Sequence, residues 1–109
     1  MIRENCIVKI QRLTGDENNK NYQDLAENVR ILIEPASNEM AVMYEVPVGQ
    51  SYSFMVMDQV DWIRPGDKII VLNPETSGLS TNDQLIVRGN AQKAYVLGHI
   101  LNSGIAVKT

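Results

Sequence analysis

The sequence predicts a mainly β fold: a small β-barrel or sandwich of about six or seven strands, with one short helix or loop excursion at about 37–46. Three observations predict it. Apolar residues recur at alternate positions through most of the chain, the spacing that turns one face of a strand inward. Clusters of Gly, Pro, Asn and Asp break the chain at short intervals and mark turns. A chain of 109 residues with 44% hydrophobic content has material for one core of modest efficiency. Closure into a barrel would remove the exposed edges of an open sheet. The chain therefore reads as a single β domain, 1–109, without internal repeats.

The elements follow in order. Cys6, Val8 and Ile10 form an apolar row from Cys6 to Arg12. The polar run Thr14 to Asn21 has turn residues and no periodicity, so 14–21 reads as a hairpin tip or mobile loop. Val29, Ile31 and Ile33 make the row of a second strand, Asn28 to Glu34, which Pro35 ends. Ser37 is placed to cap a short helix, with Met40, Met43 and Tyr44 on one face and Pro47 and Gly49 limiting its length. The whole insertion spans 36–50. Ser51 to Met57 is the most regular strand. Tyr52, Phe54 and Val56 form its core row, and Met55 and Met57 on the other face call for cover by another element or a partner.

Pro65-Gly66 predicts a type II turn, leading into Lys68 to Asn73, with Ile69 and Val71 in the core. Residues 74–83 form a second polar connector. Leu85 to Val87 reads as a short strand closed by Gly89-Asn90, and Lys93 to Ile100 as another. Asn102-Ser103-Gly104 signals a tight turn before a last strand, Ile105 to Lys108.

Charge and residue chemistry narrow the function classes. A net charge of −3, with bases and acids dispersed, gives no field to attract DNA or an anionic membrane. No apolar run approaches the ~18–20 residues of a membrane span. The N-terminus, with Glu4 and no long apolar run, does not read as a signal peptide. Cys6 is the sole cysteine, which excludes an internal disulfide and a thiolate metal cluster and suits a reducing, intracellular site of synthesis. Burial in its strand would raise its pKa and make it inert.

His99 is the one histidine and reads as a structural or surface residue, with no ligand set spaced around it. Asp58, Asp61 and Asp67 read as solvated or backbone-bonding residues flanking a turn. Gly66-Asp67-Lys68 lacks the remainder of a phosphate loop. The expectation is a protein that is not an enzyme, needs no cofactor or metal, and binds other proteins through loops on a β scaffold. Tyr52, Phe54 and Trp62 could offer stacking surfaces, so a small β-barrel adaptor or OB-like nucleic-acid-binding module is the alternative.

The run Val29-Arg30-Ile31-Leu32-Ile33-Glu34-Pro35, the excursion through Ser37-Asn38-Glu39, the strand Tyr52-Ser53-Phe54-Met55-Val56, the turn Ile63-Arg64-Pro65-Gly66-Asp67-Lys68 and the late Ala94-Tyr95-Val96 come in a particular order. That order, over residues 28 to 100, resembles the small head-closure (stopper) and head–tail joining proteins of tailed bacteriophages. The resemblance implies a β-barrel subunit in a homo-oligomeric ring of about twelve copies, or six, in the virion neck, assembled in the host cytoplasm. The ring would lie between the portal or adaptor ring and the tail terminator or tail-tube protein, with no membrane partner. Genomic DNA would pass through its channel without sequence-specific binding.

By position, the segment bearing Ser37, Glu39, Met40, Met43, Tyr44, Glu45 and Gln50 would face the channel or a partner and could gate the exit of DNA. The loop bearing Asp16, Glu17, Asn18, Asn19 and Lys20 would touch a neighbouring subunit or ring. The connector at 73–84 is longer than the family pattern, and residues 102–109 have no counterpart in it. The resemblance thus covers stopper, adaptor and tail-component roles alike.

Overall fold

Alternation of buried and outward side chains produces six strands that close on themselves in a computed structural model describing residues 3–15, 18, 21–60 and 62–109. They are β1 (Cys6–Thr14), β2 (Asn21–Pro35), β3 (Ser51–Met57), β4 (Lys68–Asn73), β5 (Gln84–Val96) and β6 (His99–Lys108), with helix α1 (Asn38–Met43) between β2 and β3. The barrel order is β1-β2-β3-β6-β5-β4, and every pairing is antiparallel. The fold is a barrel, not a sandwich.

The expected rows fill it. Cys6, Val8, Ile10, Val29, Ile31, Ile33, Phe54, Val56, Ile69 and Val71 are all buried in one cluster, and Tyr52 packs against it from a partly buried position. Gly104 sits directly under the Phe54 ring, where an added Cβ would lie 3.0 Å from Cζ.

Antiparallel closure sorts the connections onto two ends. The β1–β2 and β5–β6 hairpins and the 58–67 crossover share one end; α1 and the 74–83 connector share the other. The crossover joins β3 to β4, which have no common edge in the barrel order, so it must cross the barrel mouth. Val60 and Ile63 point into the core there, and Leu79 of the 74–83 connector is buried in the same cluster from the opposite end.

Backbone crossing the mouth finds strand partners at its two ends, Asp58 N on Ile100 O and Gly66 N on Val87 O, and side chains complete the bonding around it. The Gln59 amide bonds both Arg30 N (2.6 Å) and Arg30 O (2.7 Å), beyond the last β2–β3 pair. Asn102 Nδ2 donates to Val60 O. Asp67, 1% exposed, accepts from Arg64 N at 2.9 Å and from Arg12 Nη2 at 3.1 Å. Of the two readings of Asp67, solvated or backbone-bonding, the second holds: the Pro65-Gly66 turn, with Gly66 at φ 89° and Asp67 N bonded to Arg64 O, turns its carboxylate inward onto Arg64 N. At the other end Asn5 pairs its side-chain amide with Ile33 N and O.

Several expected boundaries move. β2 begins at Asn21 rather than Asn28, because its first residues pair only with β1 and only Ala26 among them packs against the core, too little to mark by alternation. Extra residues of β2 opposite Val8–Gln11 shift that register, with Asn28 at φ 54°. Gly89-Asn90 does not end a strand. It forms a bulge, with register passing from Arg88↔Ile105 to Gln92↔Ser103, and β5 continues. Asn102-Ser103-Gly104 is strand, and the turn falls at Leu97-Gly98. The polar run at 14–21 is shortened, since Thr14 and Asn21 pair in the ladder; Asp16, Glu17, Asn19 and Lys20 lie outside the described residues, and Asn18 is exposed.

Two substitutions probe this arrangement. Phe54→Ala is expected to cost about 3–5 kcal/mol in denaturant unfolding, as for a fully buried aromatic; a cost under about 1 kcal/mol would contradict the packing. Asp67→Ala leaves the Arg64 amide without its acceptor, while Arg12, a quarter exposed, keeps Trp62 O; it should cost about 1–3 kcal/mol, read as a lower denaturation midpoint with an unchanged slope.

Candidate interaction surfaces

The excursion between β2 and β3 builds one surface. Ser37 caps α1 as expected, its Oγ accepting from Met40 N at 3.1 Å, but the helix stops at Met43, short of the expected 46. Tyr44 follows, and its ring lies over Gly89 of the β5 bulge, 3.1 Å from where a Cβ would stand. A side chain at 89 would displace it. The Ser51 hydroxyl, bonded to Pro47 O, ties the far end of the excursion to β3.

The segment thus lies across the outer wall of β3, β6 and β5. Ile105 shows what it covers: it is on the outward row of β6, yet 0% exposed. Met40, Met43 and Tyr44 do not share one buried face. Ala41 is buried and Met43 is 76% exposed, because the helix seats on its smallest residue.

Between excursion and wall is a groove of about 310 Å³, whose lining includes Leu32, Glu34, Met40, Tyr44, Ser53 and Met55. The outward methionine Met55 therefore meets the excursion on one side and remains 38% exposed. Of the sequence-predicted residues, Met40 and Tyr44 line this groove. Ser37, Glu39, Glu45 and Gln50 are exposed around the excursion. Val42 and Val48, which the sequence reading did not single out, are 72% and 60% exposed on it.

The β5–β6 hairpin tip is the second surface, and sequence reasoning missed it. Tyr95, Val96 and Leu97 are 75%, 42% and 95% exposed. Val96 pairs with His99, leaving a two-residue turn with Leu97 at φ 49° and Gly98 at φ 82°. Two positive φ values are the sign pattern of a type I′ hairpin turn, whose first position favours Asn, Asp or Gly. The signal was Gly98 flanked by alternating residues, hidden because Leu97 is not a turn residue. At the hairpin's root, Asp58 Oδ1 accepts from Ile100 N at 2.8 Å and Oδ2 meets His99 Nδ1 at 2.5 Å. His99 is thus a structural residue of the hairpin root, as the sequence suggested.

Trp62, 47% exposed, lies beside this hairpin with Lys93 Nζ 5.3 Å from its ring centroid. Lys68 Nζ stands 3.9 Å over the Tyr22 ring. Cys6 is fully buried, and burial pushes its thiol pKa up. Among the described residues no three His, Cys, Asp or Glu side chains gather as a metal-binding group, and no helix is long and apolar enough to cross a membrane.

The Ile100 amide first, and His99 second, hold the Asp58 carboxyl below its usual range. A depressed acid stabilises the fold above its unfolded pKa and loses that contribution as pH falls through the folded value. The hairpin root should therefore stay anchored at neutral pH and release only below the ordinary aspartate value of about 3.9. Hydrogen exchange at the Ile100 amide checks this; release at or above that value would contradict it.

A scan against protein-family models, a search of curated proteins and a search of solved structures each found no match for this chain.

Proposed function

We propose that this protein is a structural subunit of the tailed-phage neck: a ring component that joins the portal or adaptor to the tail and lines or gates the DNA exit channel. The reading rests on the order of sequence segments that resembles head-closure and joining proteins. It is supported by one physical observation: two separate surfaces of a single small barrel expose large apolar side chains, Met43 at 76% on the excursion along the outer wall and Leu97 at 95% on the hairpin tip. Exposed apolar groups of this kind mark contact surfaces when they cluster, and a ring subunit needs more than one.

The excursion also suits a channel wall. Residues 31–57 contain Glu34, Glu39 and Glu45 and no Lys, Arg or His. Such a surface repels phosphate and lets DNA slide past without holding it.

A nucleic-acid-binding module is the second reading, favoured by Trp62 and Tyr22 near basic residues. Against it, a lysine already stands over each of those rings, on faces that base stacking would have to share.

Sedimentation of the purified chain over a range of concentrations, with negative-stain imaging, should give rings. Gel shifts with single-stranded and duplex DNA at low salt should give no complex. A monomer that binds DNA in a salt-sensitive way would overturn the neck reading in favour of the module.

A further inference from the structure

Leu97 carries two separate costs. It is a γ-branched residue in the left-handed region, at φ 49°, where Asn, Asp and Gly sit with less strain. It is also 95% exposed, so its apolar surface gains nothing from folding. A strained, exposed leucine at a turn tip points to a use outside the isolated fold.

The same chain carries a matching receptor. The groove beneath α1 is framed by Leu32, Met40, Tyr44 and Met55, and its volume of about 310 Å³ suits one or two large side chains. Charge matches as well. Of the bases in 84–109, His99 meets Asp58 and Lys108 meets Asp83, which leaves Arg88 and Lys93 as the positive charges of β5, whereas 31–57 carry three glutamates and no base. Glu34 stands in the groove itself, and Lys93 lies two positions before Tyr95 in β5.

The tip cannot fill its own groove. Gln92 lines that groove, and β5 stays paired with β6 out to Val96. Leu97 is therefore held about 16 Å farther along the strand, at ~3.3 Å per residue.

We propose that the Tyr95–Leu97 tip of one copy docks in the groove between α1 and β3 of a second copy, making a head-to-tail contact between subunits. Resting on the ring reading above, this contact names which surfaces meet. A contact between two different patches is heterologous and propagates around a ring when its rotation closes. Tyr95 and Leu97 act as buried anchors, and opposite charge on the two segments orients the approach and makes association salt-sensitive.

The test uses the full chain in two variants. Leu97→Asn supplies a preferred residue for the turn, so it should keep or raise thermal stability while weakening self-association by about tenfold or more, the effect of losing one buried leucine anchor. Met55→Lys places a charge in the groove on an outward, part-exposed site and should weaken association similarly; Glu34→Lys serves if the first fails to fold. Each variant lacks one side of the contact, so an equimolar mixture should form a one-to-one heterodimer and no larger species.

Rings from wild type that persist in both variants would overturn the tip–groove contact and leave the neck reading standing. Weakened variants whose mixture yields no heterodimer would also overturn it. A wild-type chain that stays monomeric and binds DNA would overturn both.

Discussion

The barrel depends on how its mouth is closed. β3 and β4 are consecutive in sequence but not adjacent in the sheet, so ten residues must cross open core, with backbone bonds to β6 and β5 at their two ends. Apolar side chains alone would plug that mouth and leave the backbone unbonded at a cost in desolvation. Polar side chains bond the crossing backbone, Asn102 and Arg12 at Val60 O and Trp62 O and Asp67 at Arg64 N, while Gln59 from the crossover bonds the unpaired edge of β2 at Arg30. Asp67 has most at stake because its carboxylate is buried, and a buried charge is tolerated only with full partners.

That closure fixes what the two ends display. With the mouth sealed by the crossover, the β5–β6 hairpin needs no apolar tip for stability, yet it has one. At the far end the excursion folds back on the wall through Ala41 and Tyr44 and still leaves Val42, Met43 and Val48 outward. Burial there is partial because a six-residue helix has one narrow face to give. Ala41 is its buried residue, Tyr44 beyond its end meets the Gly89 bulge, and Val42 and Met43 stay exposed. Both displays leave large apolar side chains that the barrel itself does not cover.

The barrel's interior was legible wherever alternation met a core. Val29, Ile31 and Ile33, then Tyr52, Phe54 and Val56, declare their inward faces because a one-residue slip would turn each row outward. The Pro65-Gly66 turn was legible because both residues have restricted backbone preferences. The first half of β2 was not: Tyr22 to Glu27 form a ladder beside β1 alone, where Ala26 is the one residue packed against the core cluster. The last hairpin was misplaced for a related reason. Asn102-Ser103-Gly104 has turn composition, but each residue serves the packing. Asn102 reaches Val60, and Gly104 makes room for the Phe54 ring.

The sequence by itself determined the β class, the buried rows, the capped excursion and the charge of each segment, because these follow from local periodicity and residue chemistry. Only the tertiary structure decided that the strands close in the order β1-β2-β3-β6-β5-β4, that Asp67 turns inward, and that α1 and the outer wall enclose a groove. It alone set Leu97 out at a tip with positive φ. Those features depend on contacts between residues far apart in the chain, and the strain at a turn becomes visible only once the pairing of the flanking strands is known.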